Sequence, residues 1–124
     1  MKLAPKEFDR IVKRALRRIP PEIRGHLEDL VISVRKRPTP AMLREMDIPR
    51  EETLLGLFQG TPMIEKSIAE PSLEPDAILL FQEPLEEMCE TVEELEEEIE
   101  ITVIHEVAHY IGMSEERLAE LGYE

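Results

Sequence analysis

The chain has 124 residues, of which 42% are hydrophobic and 35% charged. This balance is typical of one folded domain and argues against a disordered chain, and no apolar run approaches the roughly 18 residues that cross a bilayer. The net charge of −13 argues against nucleic-acid binding, which needs a basic surface. A single cysteine, Cys89, and an N-terminus without the apolar stretch of a signal peptide predict a cytoplasmic protein without membrane partners.

The charge is divided unevenly along the chain. Residues 1–50 hold thirteen Lys or Arg and seven Asp or Glu, a net +6, whereas residues 51–124 hold two and twenty-one, a net −19. The two regions could attract each other within one fold or drive head-to-tail self-association. Pairing inside one domain costs less ordering entropy, so we expect it in a monomer or a weak homodimer.

The first two-thirds of the sequence contain patterns typical of both helices and strands. Helices are predicted from apolar spacings of three and four or from Thr-Pro at a helix start, and strands from β-branched or continuous apolar runs. In chain order, the predictions are a helix at residues 5–19, a strand at 27–35, a short helix at 40–46, and strands at 53–59 and 77–82. The last of these is apolar throughout, as expected for a strand buried on both faces or an edge strand covered on one side.

A long helix follows, and both of its ends are marked in the sequence. Thr91 and Glu94 fit a capping box, and Gly112 is suited to the left-handed conformation that ends a helix. Ser114 then begins a last short helix at residues 115–121. The acidic run ELEEEIE at residues 94–100 predicts a solvated face, because like charges one turn apart repel each other.

Three residues of the long helix, His105, Glu106 and His109, form an HExxH motif. Residues four apart lie on one helix face, so both imidazoles can bind one Zn²⁺ while the glutamate takes a proton from the bound water. The alternative is two histidines on an exposed face that pair with nearby acids. The capped helix and the glycine that follows the motif favour the metal site.

A catalytic zinc site needs a third protein ligand. The turn at Gly112 reverses the chain and brings Glu115 or Glu116 back toward the histidines, and Glu115 is the better candidate. A carboxylate at this position also complements the helix dipole, so a metal ligand and a purely structural residue are both open interpretations.

Three stretches of the chain resemble a family of small bacterial zincin-like metallopeptidases, also described as minimal zincins. They are LLGLFQG (54–60), ILLFQEPL (78–85) and, most specifically, HEVAHYIGMSEERLAELGY (105–123). The family pattern is HExxHxxGxxD. This chain keeps its histidines, glutamate and glycine, but Glu115 stands at the aspartate position with a side chain that is one methylene longer.

The resemblance implies an α+β minimal zincin-like fold, with a small mixed β-sheet packed on an N-terminal helix and the motif helix. It also implies Zn²⁺ as cofactor, with weak binding or loss on purification among the expectations. Tyr123 matches a tyrosine that supports catalysis in the family, although packing of the chain end would explain it equally. An edge strand beside the cleft would bind a peptide or protein substrate by strand addition, and residues 77–82 are the predicted strand.

Two alternative functions are therefore expected. The first is a zinc-dependent metallopeptidase in which His105, His109 and Glu115 bind the metal and Glu106 is the general base. The second is a catalytically inactive zincin fold that serves as a peptide- or protein-binding module. A purely structural protein with an empty site is a third, weaker interpretation.

Overall fold

The computed structural model describes residues 1–49, 53–60 and 76–123. Over these residues the chain forms helices α1 (Pro5–Arg18), α2 (Pro21–Arg24), α3 (Pro40–Glu45), α4 (Gln82–Met88), α5 (Val92–Ile111) and α6 (Glu115–Glu120), and strands β1 (Val31–Arg35), β2 (Gly56–Gln59) and β3 (Ala77–Phe81). A 3₁₀ turn at Gly25–Asp29 joins α2 to β1. The predicted α+β class is confirmed.

The described strands form one mixed sheet in the order β1-β3-β2. β1 runs parallel to β3, with Val31 opposite Ala77, and β2 runs antiparallel to it, with Gly56 opposite Leu80. The prediction that residues 77–82 offer an edge strand to a peptide is wrong, because β3 is hydrogen-bonded to a neighbour on each side. Of the two interpretations of its apolar run, burial on both faces is the correct one, and Ile78, Leu79, Leu80 and Phe81 are all buried.

The core lies between α1, α5 and one face of the sheet. From α1 it takes the apolar stripe Phe8, Ile11, Val12 and Ala15, and from α5 it takes Leu95, Ile99, Val103, Ile104 and Val107, all at most 5% exposed. These spacings of three and four place each set on one side of its helix, which is why both helices pack there. The long motif helix is therefore held along most of its length.

Ion pairs join the basic α1 to the acidic α5. Arg14 Nε lies 2.9 Å from Glu96 Oε1, and Arg18 Nη1 lies 3.0 Å from the other oxygen of the same carboxylate. Arg18 Nε lies 2.8 Å from Glu100 Oε1. The charge division in the sequence thus produces intramolecular pairs, as predicted. The predicted solvated face at residues 94–100 includes the exposed Glu94 and Glu97, but the prediction is wrong for Glu100, which is only 7% exposed.

The sequence predicted most element positions to within a few residues but missed two helices. The predicted strands at 27–35 and 53–59 are shorter than expected, and α2 and α4 were not predicted. Neither of these helices has a side-chain N-cap hydrogen bond, which is the signal that marked α3, α5 and α6. No helix within the described residues is long and apolar enough to cross a membrane.

Candidate metal centre

Both ends of α5 are fixed by the caps that the sequence predicts. The Thr91 hydroxyl accepts a hydrogen bond from the Glu94 amide at 3.1 Å, and the Glu94 carboxylate accepts one from the Glu90 amide at 3.1 Å. At the other end Gly112 has a φ of 70°, a left-handed conformation that costs glycine little. The helix therefore ends at Ile111, two residues after His109, and the chain turns back beside the motif.

A cavity of about 590 Å³ lies between the end of α5 and α6. Its lining includes four of the five predicted site residues: His105, His109, Glu115 and Tyr123. The other lining residues are mainly apolar: Ala108, Met113, Leu118 and Ala119. The fold thus brings both histidines, the candidate third ligand and the C-terminal tyrosine to one concave site, which is where ligands usually bind.

Glu106, the fifth predicted residue, lies toward β2 and is not among the residues that line this cavity. Its side chain is only 17% exposed, and one of its oxygens lies 3.6 Å from His109 Nδ1. It also accepts a hydrogen bond from the backbone of Phe58 in β2. Burial raises the pKa of this carboxyl, and His109 and the Phe58 hydrogen bond offset part of the increase. A desolvated carboxylate with a raised pKa is suited to proton transfer.

Close contact between β2 and α5 brings Phe58 to this position. A Cβ on Gly56 would lie 2.5 Å from the Thr102 side-chain methyl on α5 and 3.1 Å from the Leu79 carbonyl oxygen. Only glycine fits this approach without movement of its neighbours. Two residues farther along β2, the Phe58 ring packs on Tyr110 of α5 with ring centroids 5.4 Å apart. This contact fixes the strand beside the motif helix.

Glu115 shares the cavity with the histidines without completing a ligand set. Among the described residues, no three His, Cys, Asp or Glu side chains lie close enough together to hold one metal ion. His109 is also well exposed, with 81% of its side chain accessible. Glu116, the weaker candidate, is not among the lining residues. The structure therefore places Glu115 in the lining of the cavity that it shares with the two histidines.

Tyr123 lines the cavity while its hydroxyl group is already bonded. The hydroxyl donates to Glu100 Oε2 at 2.6 Å. Burial, followed by this hydrogen bond, raises the pKa of Tyr123 to about 12. Tyr123 therefore attaches the segment after α6 to the core and to α5.

Sequence reasoning missed three partners of the site: Gly56, Phe58 and Glu100. The stretch LLGLFQG contained the first two, but nothing in it indicated contact with the motif helix. Glu100 lies in the acidic run at residues 94–100, and nothing in that run indicated its hydrogen bond with Tyr123.

The residues present fit a zinc site in the chemistry of their donors, although the described side chains do not assemble a complete coordination shell. Two imidazoles one turn apart, a carboxylate on the same cavity and a desolvated glutamate beside the second histidine are the groups that such a site uses.

Comparison with protein families supports the same interpretation. A family model described as zincin-like metallopeptidase matches residues 27–123, which covers the sheet, the motif helix and α6. The resemblance of the sequence to this family is thus confirmed over most of the chain. Comparison with curated proteins returns no match.

Proposed function

This chain belongs to the zincin-like metallopeptidases, and we propose that it hydrolyses peptide bonds with the aid of zinc. The observation that carries the proposal is the shared cavity of His105, His109 and Glu115, with the partly buried carboxylate of Glu106 directly beside His109. Family membership supports the reaction class, and the cavity supports the assignment of residues.

In this proposal His105 and His109 hold the metal, and Glu115 completes the ligand set. When bound, zinc would polarise the scissile carbonyl and acidify the attacking water. Glu106 takes the proton from that water and later gives it to the amine that leaves. The hydrogen bond from the Phe58 backbone and the contact with His109 orient the Glu106 carboxylate for both transfers.

The substrate is proposed to be an extended peptide that lies along β2 rather than β3. Of the described strands, β2 lies beside the motif helix at the edge of the sheet, and its Phe58 backbone already contacts Glu106. Strand addition there would place a peptide bond next to the general base. The cavity lining of Ala108, Met113 and Leu118 favours an apolar substrate side chain beside that bond.

The test is cleavage of a peptide library by the zinc-loaded protein, compared with Glu106→Gln. We expect the variant to bind zinc as the wild type does and to lose at least about a hundredfold in kcat/KM, because general acid–base catalysis contributes about 10²–10⁴ in rate. Retained turnover in Glu106→Gln would exclude this glutamate as the base. His105→Ala is the companion variant, and it should lose the metal as well as activity.

A second candidate function is a binding module that holds a peptide without cleaving it. The observation in its favour is that no described trio of potential ligands is close enough to bind a metal ion. The test is whether the wild-type protein binds a library peptide in the presence of zinc without cleaving it. If the peptide stays intact with the wild type as it does with Glu106→Gln, the binding function is established instead.

A further inference from the structure

Helix α6, which carries Glu115 and forms one wall of the cavity, has no fully buried residue. Leu118, Leu121 and Tyr123 are only partly buried against the core. Apolar packing therefore restrains this wall less than it restrains α5. Polar contacts must supply much of its fixed position.

The first of these contacts joins α6 to α2. Arg117 forms a two-point pair with Glu22, with Nε 3.1 Å from Oε2 and Nη2 2.5 Å from Oε1. The same guanidinium donates from Nη1 to Glu120 at 2.8 Å, which holds its plane in place. The pair lowers the pKa of Glu22 and raises that of Arg117. A planar two-point pair restricts orientation as well as distance.

The second contact joins the chain just after α6 to the middle of α5. Tyr123 donates to Glu100 Oε2, and the other oxygen of that buried carboxylate lies 2.8 Å from Arg18 of α1. That oxygen makes no well-directed hydrogen bond, so the ion pair alone offsets its burial. Helices α1 and α5 and the segment after α6 thus meet at one carboxylate.

The remaining connection is the turn between α5 and α6, which is short and fixed. The Met113 amide donates to the Ala108 carbonyl at 2.9 Å, and the Ser114 hydroxyl accepts from the Arg117 amide at 3.1 Å. The start of α6 is thereby set by the end of α5. Its angle relative to α5 is then set by the contacts of Glu22 and Glu100.

We propose that Glu22 and Glu100 are positioning residues that hold α6 against the cavity, where Glu115 shares the lining with the two histidines and would serve as the third zinc ligand. The inference rests on the proposed zinc site. Neither glutamate lines the cavity, so each acts through its partner, which is Arg117 on α6 for Glu22 and Tyr123 just after α6 for Glu100. Partners that orient a metal ligand from outside the ligand set commonly change metal affinity by about 10–100-fold when they are lost.

The experiment measures zinc affinity by competition with a chromophoric chelator. The variants Glu22→Gln and Tyr123→Phe each remove one contact with little change of shape, and each is made with Glu115 present and with Glu115→Ala. Glu87→Gln is the matched control, since it removes an exposed pair with Arg37, and neither of these residues lines the cavity. Circular dichroism of each variant checks that it is folded.

We expect each contact variant to bind zinc about tenfold more weakly than the wild type, and Glu87→Gln to bind it normally. In the Glu115→Ala background the same substitutions should cause no further loss, because the residue that they position is gone. A purely structural role would weaken binding equally in both backgrounds, and that result would overturn the inference.

Two other results separate this inference from the proposed function. Absence of zinc binding in the wild type, or unchanged binding in Glu115→Ala, would overturn the proposed ligand set and the positioning role together. Weaker binding in Glu115→Ala, combined with normal binding in both contact variants, would overturn the positioning role alone.

Discussion

Gly56→Ala tests whether the close approach of β2 to α5 is a requirement of the fold. The added Cβ would lie 2.5 Å from the Thr102 methyl, whereas carbon atoms pack best at about 3.5–4.0 Å. The methyl belongs to a β-branched side chain on a helix, which has little rotamer freedom, so strand and helix must separate by about 1 Å. Overpacking of this kind costs about 1–3 kcal/mol, and the lower entropy of the unfolded alanine chain returns about 0.4–1 kcal/mol.

The net expectation is a loss of about 1–2 kcal/mol in the free energy of unfolding, measured by urea denaturation. For a chain of this size that loss corresponds to a Tm lower by about 4–8 °C. Peptide hydrolysis should fall as well, because the separation moves the Phe58 backbone away from Glu106.

Thr102→Ser supplies the control, since it removes only the methyl that the new Cβ would meet. In that background Gly56→Ala should cost less than about 0.5 kcal/mol, which gives a coupling energy typical of residues in contact. If Gly56→Ala lowers the free energy of unfolding equally in both backgrounds, the contact with Thr102 does not cause the destabilisation. If Gly56→Ala alone is as stable as the wild type, the close approach of β2 to α5 is not a requirement of the fold.

Two further predictions concern titration and reactivity. Because the pKa of Tyr123 is raised to about 12 from an ordinary value of 10, its contribution to stability is complete below pH 10 and is lost as the pH rises from 10 to 12. Denaturation measured across this pH range should show a loss of stability in the wild type. The same pH dependence in Tyr123→Phe would contradict the assignment to Tyr123. Burial raises the pKa of the Cys89 thiol, so it should react with a disulfide reagent only after denaturation; rapid labelling of the folded protein would disprove this.

The helices with strong local signals were predicted well from the sequence. α1 and α5 each have a long apolar stripe, and α5 also has the Thr91 cap and Gly112, so short-range patterns define both its ends. α4 was missed because it follows the apolar β3 directly and no side chain caps it. Its local sequence therefore gave no sign of where strand ends and helix begins.

The arrangement of the strands could not be predicted in the same way. Position in the chain does not say which strand is central, and β3, the last to be made, lies between the other two. The candidate site likewise combines features that the local sequence predicts with features that it does not. The HExxH spacing places His105 and His109 on one helix face, a local property, whereas the contacts of Glu106 with Phe58 and of Tyr123 with Glu100 depend on tertiary packing.

The pairing of α1 with α5 has a consequence for how the chain acquires its structure during synthesis. Arg18 and Glu96 are 78 positions apart, so the apolar stripe of α1 leaves the ribosome long before its partner exists. β1 must likewise wait for β3. Contacts this distant in sequence slow folding and expose apolar surface to aggregation meanwhile. A chain halted before residue 92 would therefore lack both its core and its candidate metal site, and chaperone capture of such nascent chains is the expected sign.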